Sequence, residues 1–142
     1  MEKDPDTRRG PARDRAVVPR QPLVVGATQG QEVKVLVTGA AGQLGHELVR
    51  VFSGAGHEVV ATSHATLDIA DPAAVVSAVD SARPDWILHG AAWTAVDACE
   101  SDPAKAEAVN GGGSRNVVAA AERVGARVLY VSTDYVFDGT KS

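Results

Sequence analysis

Aromatic side chains are scarce in this sequence and cysteine is nearly missing. Phe, Trp and Tyr make up 4% of the 142 residues. A core must therefore be filled by Val, Ala and Leu, which belong to a hydrophobic content of 44%. Small aliphatic residues suit a parallel sheet covered by helices. Cys99 is the only cysteine, which excludes an intrachain disulfide and fits a reducing compartment. No apolar run approaches the roughly 18 residues that a membrane span requires, and the N-terminus lacks the apolar stretch of a secretory signal. The expectation is a cytoplasmic protein without a membrane partner. Positive charge is not in excess either: 14 basic residues against 18 acidic ones leave a net charge of −4. Nucleic acid is accordingly a poor candidate partner. The length suits one modest domain.

The first 20 residues differ from the rest. They carry Lys3, Arg8, Arg9, Arg13, Arg15 and Arg20 against Glu2, Asp4, Asp6 and Asp14, and are interrupted by Pro5, Pro11 and Pro19. Such a segment buries too little apolar surface to offset its ordering entropy. Residues 21–32 continue as a linker with a short Leu23-Val24-Val25 patch. Residues 1–32 are expected to form a disordered leader, which the composition favours over a docking tail.

From Val33 onward the pattern is regular. Val33 to Val37 is a β-branched run that reads as a buried strand. Leu44, Leu48, Val51 and Phe52 recur at helical spacing, and Gly54 and Gly56 close that helix. His57 to Ala61 reads as a second strand. Asp71-Pro72 is a helix start with Asp as cap and Pro in the first turn, Val75, Val76 and Val79 give the buried face, and Arg83-Pro84 ends it. Trp86 to His89 reads as a third strand. Asp102-Pro103 opens a long helix packed through Val117, Val118, Ala121 and Val124 and closed by Gly125, and Arg127 to Val131 is a fourth strand. Strand and helix alternate throughout, which predicts an α/β fold: a doubly wound parallel sheet with right-handed crossovers and helices on both faces. Gly111-Gly112-Gly113 sits inside the predicted long helix, where each Gly costs about 1 kcal/mol relative to Ala. Either the backbone approaches a ligand or a neighbouring strand closely there or the helix breaks in two.

Gly39, Gly42 and Gly45 lie between the first strand and the first helix. Glycines at this spacing let backbone approach a pyrophosphate, and the helix start offers N–H groups and a favourable dipole. The strand–turn–helix setting makes this a dinucleotide signal. An acidic residue that holds the ribose 2′-hydroxyl is expected at the end of the second strand. The sequence there is Ala61-Thr62-Ser63-His64. A carboxylate would repel a 2′-phosphate and Ser63 would not, so NADPH is favoured, without an arginine to exclude NADH.

These features resemble the extended short-chain dehydrogenase/reductase superfamily and, within it, the dTDP-4-dehydrorhamnose reductases. The resemblance rests on Thr38 to Gly45, Leu67-Asp68-Ile69, Ala91 to Asp97, Glu100 to Pro103, Val109-Asn110 and Ser132 to Gly139, over about residues 33–142. It implies a Rossmann-type fold. It also implies NAD(P)H-dependent reduction of the C4 ketone of a dTDP-4-keto-6-deoxy sugar, dTDP-4-dehydrorhamnose to dTDP-rhamnose, for cell-surface polysaccharide. By resemblance Gly42, Gln43 and Leu44 line the pyrophosphate, Asp68 and Ile69 flank the adenine, and Ala92, Trp93 and Thr94 border the cofactor. Thr133 hydrogen-bonds the ketone as the catalytic residue of this segment, and Asp134 lies beside the sugar. Family members use Mg2+ in dimerisation, which implies a homodimer for the full-length enzyme. No site for Mg2+ is visible in this sequence.

The superfamily's proton donor is a Tyr with a Lys four residues later. Tyr130 is followed at that distance by Asp134 and Tyr135 by Gly139. That pair and the sugar-binding domain are expected beyond residue 142, which makes residues 33–142 an incomplete dinucleotide-binding domain. His89-Gly90 stands where the family often has Asn-Ala. His46, His57, His64 and His89 have no metal-ligand spacing and read as surface or satisfied positions. Two readings of another class stay open: a non-catalytic dinucleotide-binding regulatory subunit, as in a related group that serves methionine adenosyltransferase, and an inactive gene fragment.

Overall fold

The computed structural model describes residues 32–133 and 139–140. The leader through residue 31, and Asp134 with the four residues after it, lie outside the described residues. Four strands form one sheet: β1 (Lys34–Thr38), β2 (Glu58–Thr62), β3 (Trp86–His89) and β4 (Arg127–Tyr130). All neighbours are parallel and the spatial order is β2-β1-β3-β4. Between them run α1 (Gln43–Gly54), α2 (Pro72–Ala82), α3 (Val96–Ser101), α4 (Pro103–Ala106), a π-helical turn (Glu107–Gly112) and α5 (Gly113–Val124). No helix among the described residues is long and apolar enough to cross a membrane.

The strand order determines which face each helix covers. The chain steps from β1 outward to β2, then returns across β1 to β3 and continues to β4. Right-handed crossovers require the reversed step to place its helix on the opposite face. The packing follows that rule. Val35, Val37 and Leu88 are buried against Leu48, Val49 and Phe52 of α1. Leu36 and Ile87, on the other face, are buried with Val75 and Val79 of α2 and Val117, Ala120 and Ala121 of α5. Each such aliphatic side chain contributes at most about 1.5–3 kcal/mol on burial. The helix caps contribute about 1 kcal/mol each, so they set the ends of elements that the core holds in place. Asp71 Oδ1 accepts from Ala73 N at 2.9 Å and Ala74 N at 3.2 Å, and Arg83 ends α2 in the left-handed region at φ 47°. Asp102 Oδ1 accepts from Lys105 N at 3.0 Å.

Three expectations are corrected. Val118 is 44% exposed, and Ala120 takes its place in the core. The α5 face that meets α2 lies against Ala74 and Ala78, and small residues let two helices approach closely. Leu44 and Val51 are also exposed, at 41% and 44%, and Val49 packs beside Leu48 and Phe52 in their stead. The glycine triplet neither breaks the helix nor contacts a strand. α4 runs through the π-helical turn into α5 without interruption, and Gly113 is buried against the Ile69 side chain, where a Cβ would lie 2.7 Å from Ile69 Cδ1. On the α1 side Leu129, in register with Leu88, stays 46% exposed.

The triplet can be dissected by urea unfolding. Gly113→Ala should lower the unfolding free energy by about 1–3 kcal/mol, as overpacking does. Gly112 is helical, and a Cβ there would lie 3.7 Å from its nearest neighbour, in ordinary contact. Gly112→Ala should therefore raise stability by up to about 1 kcal/mol. Equal effects would mean that contact with Ile69 is not why Gly113 is needed.

Candidate functional site

Strand order reverses at β1, so the carboxyl ends of β1 and β3 meet beside the start of α1. Gly39 follows β1 at φ 71°, and a Cβ there would lie 2.7 Å from Ala91 N. A Cβ on Gly45 would lie 2.6 Å from Ala40 Cα and would also overlap the Gly39 carbonyl. Side chains are therefore excluded at both positions by backbone, which cannot yield. The turn is held by Gly42 N donating to Gly39 O at 2.9 Å and Ala40 N donating to Thr62 O at 2.8 Å.

Helix α1 begins without a side-chain cap and without an acid in its first turn. Among the described residues, nothing accepts from the N–H groups of Gln43, Leu44 and Gly45. These donors, with the positive end of the helix dipole, form an anion cradle. Gln43 and Leu44 expose their side chains around it. The free N–H groups beside the side-chain-free turn could hold an anionic group such as the pyrophosphate of the implied dinucleotide.

The loop after β3 carries Ala91, Ala92, Trp93 and Thr94. Its position depends on Asn110, which the π-helical turn presents. Asn110 Oδ1 accepts from Trp93 N at 2.7 Å, and Asn110 Nδ2 donates to Trp93 O at 3.0 Å. Cys99 Sγ donates to the same carbonyl at 3.4 Å, and the Lys105 ammonium lies 4.5 Å from the Trp93 ring centroid. One carboxamide thus satisfies both backbone groups of Trp93, leaving the flanking Ala92 and Thr94 exposed.

Behind this loop lies a buried polar chain. His89 is 1% exposed and pairs through Nδ1 with Thr38 Oγ1 at 2.7 Å and through Nε2 with Ser114 Oγ at 3.1 Å. Ser114 Oγ is 2.7 Å from Asn110 O. A carbonyl cannot donate, so the single Ser114 proton points there, and Ser114 accepts from His89 Nε2–H. Nδ1 is then a lone pair that accepts the Thr38 proton, and Thr38 Oγ1 accepts from Ala91 N at 3.3 Å. All donors point one way, and the imidazole is neutral. Tyr130 stacks on its ring at 5.2 Å between centroids. Burial pushes the His89 pKa below its usual value.

The remaining candidates sit around the cradle. Ser63 follows β2 in a tight turn closed by Thr66 N and Leu67 N on its carbonyl, at 2.9 and 2.8 Å. Asp68 is exposed, with Oδ1 accepting from Ala70 N at 3.0 Å. The Ile69 side chain is buried in the core, and its carbonyl accepts from Asn116 Nδ2 at 2.9 Å, so it can offer only backbone to a ligand. Thr133 is exposed beyond the end of β4. Asp134 lies outside the described residues. Among the described residues no group of three His, Cys, Asp or Glu side chains could hold a metal, and nothing there fits the magnesium ion implied by resemblance.

Sequence alone gives Asn110 no role of its own and leaves His89 as one bland histidine among four. The available signals are an Asn beside three glycines and a polar residue ending a buried strand.

The sequence profile of a family described as RmlD substrate binding domain matches residues 33–142. A dTDP-4-dehydrorhamnose reductase of Streptomyces griseus is 52% identical over 105 residues, covering 74% of this chain and 34% of the relative. One of Burkholderia thailandensis is 47% identical over 110 residues, covering 78% and 37%. The crystal structure of a Bacillus anthracis dTDP-4-dehydrorhamnose reductase in complex with NADP superposes with a TM-score of 0.74 at 38% identity, covering 79% of this chain and 40% of that one. The chain thus spans about a third of the length of these curated relatives.

The neutral His89 makes stability depend on pH. Its folded pKa lies below the unfolded value, near 6.5, so unfolding takes up a proton between those two values. Stability should be level above about pH 6.5 and fall as pH drops below it, by at most about 1.4 kcal/mol per unit. Denaturant titrations from pH 8 to 5 measure this, and His89→Asn should lose that component of the slope. An unchanged slope in the variant would mean that His89 is not the group responsible.

Proposed function

The chain belongs to the RmlD substrate binding domain family, and on that premise we propose that it supplies the nicotinamide dinucleotide site for reducing the C4 ketone of a dTDP-4-keto-6-deoxy sugar. The observation that carries this reading is the uncapped start of α1 against a turn whose glycines Gly39 and Gly45 admit no side chain. The N–H groups of Gln43, Leu44 and Gly45 would bind the pyrophosphate. The end of β2 offers Thr62, Ser63 and His64, and the next acid, Asp68, has one oxygen committed to Ala70 N. That favours NADPH over NADH at the ribose. Ala92, Trp93 and Thr94 would border the cofactor on the β3 side, in the position that Asn110 fixes.

A nicotinamide dinucleotide held there would supply hydride chemistry for the ketone carbon, and the carbonyl oxygen would then carry developing negative charge. The Thr133 hydroxyl, aimed at that oxygen, would stabilise the charge. A separate acid must deliver the proton that completes the alcohol; by resemblance to the short-chain dehydrogenases this is a tyrosine. Asp134 would lie beside the sugar. The relatives named dTDP-4-dehydrorhamnose reductase support the substrate class, with dTDP-4-dehydrorhamnose to dTDP-rhamnose as the reaction. The family description refers to substrate binding; the glycine cradle is what supports a cofactor role beside it.

One substitution separates binding from folding. Gly42 is the N-cap of α1 with φ −80° and ψ 169°, an extended conformation that a side chain can adopt, although a Cβ there would lie a close 3.3 Å from Gly39 O. Asp is a favourable cap there, and its carboxylate would both occupy the cradle N–H groups and repel phosphate. Gly42→Asp should weaken NADPH binding by about tenfold or more, equivalent to about 1.4 kcal/mol, while the gain from the cap offsets the close contact with Gly39 O and keeps the unfolding free energy within about 1 kcal/mol of the parent. Titration of the chain by nicotinamide fluorescence reads the affinity. Equal affinity in the variant, or no saturable binding by the parent chain, would contradict the proposal.

A further inference from the structure

The ring nitrogens of His89 join two segments that the dinucleotide reading places against the cofactor. On one side Thr38 ends β1, and its oxygen holds Ala91 N at the base of the β3 loop. On the other side Ser114 opens α5, and its proton goes to the carbonyl of Asn110, whose carboxamide holds Trp93. The order is Ala91 N–H to Thr38, Thr38 to His89, His89 to Ser114, and Ser114 to Asn110. This chain begins and ends on the one loop, through Ala91 and through the Trp93 clamp.

We propose that His89 is a positioning residue for the dinucleotide: neutral and protonated at Nε2, it sets the Ala91–Thr94 loop, and taking up a proton releases both the loop and the nucleotide. The inference rests on the dinucleotide reading for its second half only. Protonation puts a hydrogen on Nδ1, facing Thr38 Oγ1. Thr38 would then have to accept from both Nδ1 and Ala91 N, and its own proton would lose its acceptor. The bond between β1 and β3 at their carboxyl ends is the one that changes sense. The other neutral tautomer fails at the opposite end, where a bare Nε2 would face a Ser114 oxygen that has no proton left to give.

The elements packed against the ring contribute Thr38 from β1, Ser114 from α5 and Tyr130 from β4. Only Tyr130 is titratable among these, and no charged group among the described residues pairs with the imidazole. Burial is the sole cause of the downward shift, so proton uptake falls below the ordinary histidine range. An Asn at this position carries one acceptor and one donor and no titrating proton. His89→Asn therefore tests titration rather than hydrogen bonding.

Nitrogen-15 NMR of the chain without nucleotide is the first arm. At pH 7.5 the His89 signals, assigned by their loss in His89→Asn, should show a neutral ring protonated at Nε2. On acidification the Ala91 and Trp93 amides should shift with the His89 midpoint, and in His89→Asn they should not. An Nδ1–H ring, or amides that stay still while His89 titrates, would overturn the proposal. The second arm is NADPH affinity from pH 8 to 5 for both proteins. The 2′-phosphate titrates near 6, so the variant provides the baseline. The parent should lose about tenfold in affinity per pH unit below the His89 midpoint relative to the variant, as one coupled proton requires. Parallel pH profiles would overturn the coupling. An absence of NADPH binding in both proteins at pH 8 would instead defeat the dinucleotide reading, and the loop claim would then be decided by the amide shifts.

Discussion

Three stretches of backbone have to meet at one point: the end of β1, the end of β3 and the first turn of α1. A single methyl at Gly39 would strike the Ala91 backbone, and one at Gly45 would strike Gly39 and Ala40. The strand order β2-β1-β3-β4 makes this contact unavoidable, because the chain reverses direction across β1. The same reversal puts α1 on one face and α2 with α5 on the other. At the carboxyl ends of the strands, α1 begins with N–H groups that no described residue caps. Sheet order, helix placement and anion cradle are thus consequences of one close approach.

That approach has a polar cost. A strand end brought into the interior carries polar groups that lose water, and an unpaired one costs about 1–3 kcal/mol. Thr38 and His89 are the buried polar residues among those described, and both are fully paired. Ser114 and Asn110, from the far side of the α4–α5 segment, complete the pairing. The π-helical turn is part of this solution. Wider than an α turn, it carries the Asn110 carboxamide to Trp93 while the Asn110 carbonyl stays within reach of Ser114. The exposed Glu107–Arg115 pair at 3.0 Å spans the turn, though a surface pair of this kind contributes only about 0–1 kcal/mol.

Most of the architecture is legible in the sequence because its signals are local. Asp71-Pro72, Asp102-Pro103 and Arg83-Pro84 mark helix ends by mechanisms that act within a few residues, and all three do so in the structure. The expected bounds of β1, β2 and β4 lie within one residue of the observed ends. The helix faces are less legible, since hydrophobicity ranks Val above Ala. Ala120 is buried and Val118 exposed because α2 and α5 approach closely, and closeness is a property of the pair. The glycine cradle is legible from Gly39, Gly42 and Gly45 in their strand–turn–helix setting. The His89 chain is not: Thr38, His89 and Ser114 are far apart in sequence, and nothing local to any of them says that they pair. The partners of a buried histidine follow from topology and register, which spacing alone does not encode.

The proposed chemistry lies at one end of the sheet. The opposite end, around Arg83, Asp85 and Arg127, presents mixed charge with Asp85 tied to Lys34 N at 2.7 Å. Mapping amide chemical shifts during NADPH titration of the isotopically labelled chain distinguishes the two ends directly. The shifts should concentrate on Gln43, Leu44 and Gly45 at the start of α1 and on Ala92, Trp93 and Thr94, with Arg83, Asp85 and Arg127 unmoved. Shifts centred on the latter group, or none at saturating nucleotide, would contradict a dinucleotide site at the glycine cradle.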